Sequence, residues 1–282
     1  MIRAIIFAGF GINCERETAA GLRMAGASAD IVHLNRLFSD SSLLDQADIV
    51  VFPGGFSFGD RLGGGQALAN RLRHRRAAGG ESLISRLTRF IDAGGLVLGI
   101  CNGFQVLVKL GLLPNLCGGH TQEVALAANA SRRYENRWCR LAPTSGGPAG
   151  DFGALGLLEL PVRHGEGRVV FGSDATRTSV VDQSLNWLTY ANANGAPATR
   201  FPENPNGADL ACAGLTDPTG RVLGLMPHPE AFTSPYLHYA WSRRQRDAGA
   251  LPEADGLRLL RHIVRLTAKP LEVNSRAAKE AM

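Results

Sequence analysis

The run "LVLGICNGFQVL" (Leu96–Leu107) decides how this chain is read. Leu96 to Ile100 are apolar with no alternation, the pattern of a strand buried on both faces. "FQVLVKL", which follows Gly103, has helical spacing. Between them stands Gly99-Ile100-Cys101-Asn102-Gly103, a G-x-nucleophile-x-G sequence in which a strand hands over to a helix through a tight turn. Glycine is required at both ends, because side chains there would collide with neighbouring backbone. A thiol at the amino end of a helix sits in the positive end of the helix dipole, which favours the thiolate.

Upstream, the first hundred residues alternate strand and helix. "IRAIIFAG" (2–9), "ADIVHLN" (29–35), "DIVVFPGG" (48–55) and "GLVLGI" (95–100) read as strands; "CERETAAGLRMAG" (14–26), "SLLDQA" (42–47) and "ESLISRLTRFIDAG" (81–94) read as helices. Continuous apolar strands separated by helices predict an α/β fold, an open doubly wound and mostly parallel sheet covered on both faces. Downstream of about 120 the texture changes to short β-like runs at 122–128, 137–142, 156–162, 168–172, 186–191, 210–215 and 222–226. Asn194-Gly195, Asn206-Gly207 and Thr219-Gly220 predict hairpins among them, so antiparallel strands are added in the second half. "APTSGGPAG" (142–150) reads as a loop and "ADGLRLLRHIVRLT" (254–267) as a closing helix. No linker divides the chain: residues 1–270 are expected to form one domain, followed by a polar tail at 271–282.

Composition excludes several classes. The 282 residues are 45% hydrophobic and 20% charged, and the 34 glycines show no G-x-y period, which rules out collagen-like and low-complexity chains. Ala4 to Ile12 is too short to span a bilayer and is closed by charges, so a first strand in a cytoplasmic protein is expected. Five cysteines, with no C-x-x-C pair, fit a reducing compartment and no metal site. Cys14, Cys117, Cys139 and Cys212 carry no signature comparable to that of Cys101 and read as ordinary free thiols. The net charge of +5 owes much to "RLRHRR" (71–76) and "SRRQR" (242–246), which read as solvated or protein-docking faces. They lack the interleaved aromatics of a nucleic-acid module, so neither nucleic acid nor membrane is an expected partner.

Two glycine-rich stretches carry no nucleotide signature. "GFGINCE" (9–15) departs from the dinucleotide fingerprint at Cys14, and "PGGFSFGDRLGGG" (53–65) lacks the Gly-Lys-Ser/Thr of a phosphate loop. The second stretch follows a strand at the carboxyl edge of the sheet, where its backbone N–H groups can face a site and stabilise an oxyanion.

A thiolate nucleophile needs a base and a group to orient it. "GLMPHPEAF" supplies His228 and Glu230 directly after the strand at 222–226, on a loop stiffened by Pro227 and Pro229. His-x-Glu also occurs in zinc deaminases, but the Pro-Cys-x-x-Cys partner of that motif is absent.

With these motifs in hand, the chain resembles the class I, triad-type glutamine amidotransferases, a flavodoxin-like family. Within that class it is most similar to the glutaminase subunits of phosphoribosylformylglycinamidine synthase, in purine biosynthesis. "GINCE" (11–15), "PGGFSFGD" (53–60), "GICNGFQVL" (99–107), "HGEGR" (164–168), "PENPNG" (202–207) and "MPHPEAF" (226–232) carry the likeness, which runs in order over about residues 2–266. The resemblance implies Cys101 as nucleophile, His228 as base and Glu230 as its orienter, with Gly55 and Asn102 donating backbone N–H groups to the oxyanion. It implies glutamine as substrate, held in part by Gln105, one helical turn after Cys101. His164 and Glu166 are placed at the border of the substrate site or a partner interface, with a structural hydrogen-bonding role as the alternative. It further implies an ATP-dependent synthetase subunit as partner, with or without a small third subunit; ATP and Mg belong to that partner, and no cofactor is expected here. The chain departs from the family around residues 61–80, at 142–154 and past 267, none of which touches the triad. Service to another synthetase, hydrolysis of a different amide and a non-catalytic docking role stand as alternatives.

Overall fold

The computed structural model describes residues 1–78 and 80–268; the polar tail expected over 271–282 lies outside the described residues. Four short apolar runs form the first parallel strands: β1 (Arg3–Ala8), β2 (Ser28–His33), β3 (Ile49–Phe52) and β4 (Leu96–Ile100). Every residue of β3 and β4 is buried, as their unbroken apolar character requires of strands covered on both faces. The second half adds β5 (Val124–Ala128), β6 (Glu135–Pro143), β7 (Leu158–His164), β8 (Glu166–Phe171), β9 (Leu188–Tyr190), β10 (Cys212–Thr216) and β11 (Val222–Leu225). Nine strands join in the order β2-β1-β3-β4-β11-β10-β9-β6-β7, while β5 and β8 pair as a separate antiparallel ribbon. The β2-β1-β3-β4-β11 half is parallel and the β10-β9-β6-β7 half antiparallel. This is the mixed α/β sheet that the sequence predicts.

The helices are α1 (Glu15–Met24), α2 (Leu34–Ser39), α3 (Gln66–His74), α4 (Leu83–Asp92), α5 (Asn102–Lys109), α6 (Asp174–Asp182), α7 (Trp241–Ala248) and α8 (Asp255–Thr267). In α4, Ser82 caps the amino end by accepting the Ser85 N–H, and Leu83, Ile84 and Leu87 form the buried face. Helix α1 packs on α8, and α3 packs on α4 and α5. Buried side chains from Ala4 to Val264 form one contiguous hydrophobic cluster through both halves. Among the described residues, no helix is long and apolar enough to cross a membrane.

Several expectations are corrected. The strand read over 29–35 stops at His33, whose Nδ1 accepts the Asn35 N–H at 3.1 Å and so caps α2, a helix that the apolar run concealed. The segment at 42–47 is a 3-10 turn over Ser41–Gln46 rather than an α-helix. The glycine-dense and basic stretch after 60 holds α3, which buries Leu68, Ala69 and Leu72 at helical spacing. Only part of this stretch is a free face: the Arg71 guanidinium lies 4.5 Å from the Phe10 ring centroid, while Arg75, 4.2 Å from that of Phe38, and Arg76 stay exposed as expected. Arg73 donates to the carbonyls of Lys109, Leu110 and His120. Of the three hairpin signals, Thr219-Gly220 turns β10 into β11, while Asn194-Gly195 closes only the isolated Ala191–Pro197 bridge. Asn206-Gly207 makes no hairpin, because buried Asn206 donates to the Gly167 carbonyl and to the Tyr190 hydroxyl. Helices α6 and α7 also went unread. α7 has no buried residue and α6 only Val180, so neither leaves a strong apolar stripe.

Candidate active site

The carboxyl ends of four neighbouring parallel strands (β1, β3, β4 and β11) converge on one place. Strand β4 ends at Ile100, in register with Leu225 of β11, so Cys101 and His228 leave adjacent strands on the same edge. Cys101 takes φ 51° and ψ −105°, a conformation that side chains rarely adopt, and it precedes the first residue of α5. Its N–H is fixed on the Leu225 carbonyl at 2.8 Å. The turn is as tight as the glycine pattern demands: a Cβ on Gly103 would stand 1.8 Å from the Phe52 carbonyl oxygen, and one on Gly99 would stand 2.9 Å from Gly103 backbone. The thiol is 6% exposed and lies 3.7 Å from the Arg163 carbonyl oxygen, which accepts its S–H.

His228 and Glu230 follow β11 on a short turn at Pro229–Ala231. The His228 N–H donates to Pro161 O at 2.9 Å, tying the loop to β7, and the Leu257 N–H at the start of α8 donates to Phe232 O at 3.2 Å. Nδ1 of His228 lies 2.7 Å from Glu230 Oε1, with both side chains buried. Burial alone would push the imidazole down, but the Glu230 carboxylate and the Cys101 sulfur outweigh it and hold the ring well above the ordinary histidine range. Cys14 Sγ lies within 4.8 Å of a nitrogen of this ring, and Nε2 has no hydrogen-bond partner among the described residues.

Gly55 takes φ 152°, and a Cβ there would fall 2.8 Å from Gly11 O, Ile12 Cα and Asn13 N. Only glycine lets the loops after β1 and β3 touch at this point. Among the described residues the Gly55 N–H has no acceptor. Asn102 opens α5, where first-turn N–H groups lack intrahelical partners. Both backbone donors are therefore available to an anion. The Asn102 side chain is occupied: Oδ1 accepts the Ser57 N–H at 3.1 Å, and Nδ2 donates to Asp60 at 3.2 Å and to Gln105 Oε1 at 2.8 Å. It fastens the glycine loop to the elbow.

Gln105 is buried, and its Nε2 donates to the Glu166 carbonyl oxygen at 2.7 Å. Its amide thus joins an internal network, with both ends paired. Glu166 Oε2 accepts the Gly64 N–H at 2.8 Å and clamps the loop before α3. His164 is buried; its Nδ1 pairs with Asn129 Oδ1 at 3.0 Å, and burial first, then His228, push it down to about 3. It is neutral at physiological pH, and its contacts are those of a structural hydrogen bond beside the site.

Three neighbours escaped the sequence reading. Asp60 bonds to Asn102, and burial raises its carboxyl. Burial first, and then the Cys101 sulfur, raise the phenol of Tyr134, whose ring edge lies beside Gly165 between His164 and Glu166. Cys14 is a free thiol, as expected, with its S–H on Asn13 Oδ1 at 3.4 Å, but its Sγ also lies with a ring nitrogen of His228 and a Glu230 oxygen in a group whose members are within 4.8 Å of one another. Its place in "GINCE", at the end of the loop after β1, was the available signal, since that loop reaches the same sheet edge as Cys101.

Comparisons with known proteins show the family. Residues 1–265 match the CobB/CobQ-like glutamine amidotransferase domain. The chain is 40% identical over 231 residues to phosphoribosylformylglycinamidine synthase subunit PurQ of Methanococcus maripaludis, covering 81% of each chain. It is 35% identical over 264 residues to the same subunit of Dehalococcoides mccartyi, covering 94% of this chain and 97% of that one. Among solved structures, the PurLQS complex of Thermotoga maritima contains a chain that superimposes with a TM-score of 0.65 at 27% identity, covering 94% of this chain and 98% of that one. The chain belongs to the CobB/CobQ-like glutamine amidotransferases and, among them, to the PurQ subunits of phosphoribosylformylglycinamidine synthase.

Proposed function

We propose that this chain is the glutaminase subunit of phosphoribosylformylglycinamidine synthase, with Cys101, His228 and Glu230 as its catalytic triad. One observation carries the reading: a cysteine held in a strained strand-to-helix turn faces a buried imidazole that is bonded to a carboxylate at 2.7 Å. The Cys101 thiolate attacks the side-chain amide carbon of glutamine, and the Gly55 and Asn102 N–H groups hold the oxyanion of the tetrahedral intermediate. His228, oriented by Glu230, protonates the departing ammonia, leaving a γ-glutamyl thioester on Cys101. Water, deprotonated by His228, then cleaves the thioester to give glutamate and restore the thiol. Gln105 and Glu166 keep the wall beside the elbow in place, and His164 supports the strand that carries Arg163.

The ammonia passes to an ATP-dependent synthetase subunit, which converts formylglycinamide ribonucleotide to the amidine. The names of the two PurQ relatives support this, since both are subunits of that synthase. Chemistry supports it too, because ammonia released into neutral water is protonated and loses its nucleophilicity. Residues 1–270 act as one amidotransferase domain, a reading that the single core from Ala4 to Val264 supports. ATP and Mg are handled by the partner, and the complex works in the cytoplasm. Cys101→Ala tests the assignment. The assembled synthase should lose glutamine-dependent amidine formation and keep the reaction driven by free ammonia; retained glutamine turnover would overturn the nucleophile.

A further inference from the structure

Cys14 has no part in the mechanism above, yet among the described residues it is the thiol that joins the triad's own base and carboxylate in one cluster. It stands at the amino end of α1, with its N–H bonded to the Gly54 carbonyl at 3.2 Å. A methyl group on Gly54 would touch the Cys14 sulfur at 3.2 Å and the His228 ring at 2.9 Å, so the two side chains flank one backbone point. The sulfur, a ring nitrogen of His228 and a carboxylate oxygen of Glu230 lie within 4.8 Å of one another.

A second observation points to a ligand here. His228 and Glu230 are each only 4% exposed, and each keeps one polar atom, Nε2 and Oε2, without a hydrogen-bond partner. Desolvating such an atom without a partner costs about 1–3 kcal/mol, a cost that a ligand bonded to it would offset. A thiolate, an imidazole and a carboxylate are together the donor set of a zinc-type cation. Two ligands at about 2.0–2.3 Å from one such ion stand about 3–4 Å apart, so the Cys14 sulfur has to move inward, and an ion on Nδ1 has to part it from Glu230.

We propose that Cys14, His228 and Glu230 form a site for a borderline-soft divalent cation of the zinc type, and that its occupancy silences the glutaminase. Coordination requires the Cys14 thiolate and an unprotonated His228 nitrogen, so the thiol proton and the proton on that ring nitrogen both pass to solvent as the metal bonds form. An ion on Nε2 takes the lone pair that the base uses. An ion on Nδ1 breaks the His228–Glu230 bond. In both cases Cys101 loses its base without being touched. The silencing rests on the triad reading of the preceding subsection; the binding does not.

Cobalt(II) added to the full-length chain is the spectroscopic probe, with zinc as competitor. A thiolate-to-cobalt charge-transfer band should appear in the wild type and in Cys101→Ala, and cobalt affinity should fall about tenfold or more in Cys14→Ser. A band that vanishes in Cys101→Ala and survives in Cys14→Ser would overturn the site in favour of simple poisoning of the nucleophile. Half-inhibition by zinc should need at least about tenfold more metal in Cys14→Ser, measured against that variant's own metal-free rate. The wild type gives a readout that needs no variant: zinc should protect Cys14 from alkylation while exposed Cys117 continues to react. Equal labelling of Cys14 with and without zinc would sink the proposal. Metal-free glutamine hydrolysis tests the triad separately.

Discussion

Ile100 and Leu225 are register partners on adjacent parallel strands, and that single pairing brings the two ends of the chemistry together. Cys101 lies one residue past the first and His228 three past the second. The long excursion between them builds the antiparallel half of the sheet and returns through β10 and β11 to the switch edge, where doubly wound sheets place their ligands.

The pairing is only useful if the elbow is tight, which Gly103 decides. A Cβ there would stand 1.8 Å from the Phe52 carbonyl oxygen, closer than any side chain can yield to. Gly103→Ala should therefore push α5 away from β3, with a loss of stability of about 1–3 kcal/mol or more, as for other overpacked sites. Thermal unfolding should show a lower Tm, and glutamine hydrolysis should fall even where the variant folds. An unchanged Tm would mean that the helix has room to move.

Strain at Cys101 predicts a trade between stability and activity. A non-glycine residue held in such backbone costs about 1–3 kcal/mol, and glycine at 101 relieves it. Cys101→Gly and Cys101→Ala should both be inactive with glutamine, but the glycine variant should resist denaturant better than the alanine variant by about 1 kcal/mol. Chemical denaturation of the pair measures this directly. The reverse order would show that the elbow stores no strain.

Two buried histidines pull the pH dependence of stability in opposite directions. His228 is raised well above its usual value, so its contribution is fully present below about pH 6.5 and is lost as pH rises through the higher folded value. Glu230→Gln should thus lower Tm most at or below that pH, with the gap to wild type closing on the alkaline side. His164 is pushed down to about 3, so the unfolded chain takes up a proton first and stability falls as pH drops from about 6.5 toward that value. His164→Gln should flatten this acid limb. Glu230→Gln should also reduce kcat by about 10²–10⁴-fold, since the imidazole loses both orientation and charge support. Parallel pH–Tm curves for wild type and both variants would contradict both assignments.

Much of this was legible because the relevant signals are local. The elbow is set by two glycines around one cysteine, and unbroken apolar runs such as Ile49–Phe52 declare a sheet buried on both faces. His228 and Glu230 announce themselves through flanking prolines that hold a turn. The place of Cys14 beside His228 was harder to read because it depends on a neighbour far away in sequence: "GINCE" puts its loop at the right sheet edge, but only the fold brings its sulfur to the ring. The helix α3 was masked by charge. Arg71 and Arg73 look like part of a solvated face until Phe10, Phe38 and the end of α5 are packed beneath them.

That masking yields a last prediction, for Arg73. Its Nη2 donates to the carbonyls of Lys109 and Leu110, at 3.3 and 2.9 Å, and to His120 O at 3.4 Å. The carbonyls at a helix end have no intrahelical donors, and a guanidinium there also meets the negative end of the dipole. Arg73 is therefore a capping residue for α5, the helix whose other end carries Cys101. Arg73→Ala should cost about 1.5–3 kcal/mol, the range for hydrogen bonds to a charged group, and Arg73→Lys should recover only part of it, because an ammonium cannot reproduce the fork of the guanidinium. If the basic cluster were instead a docking face, Arg73→Ala would leave Tm unchanged and weaken assembly with the synthetase. Unfolding of the isolated chain, set beside a binding isotherm for the partner, separates the two.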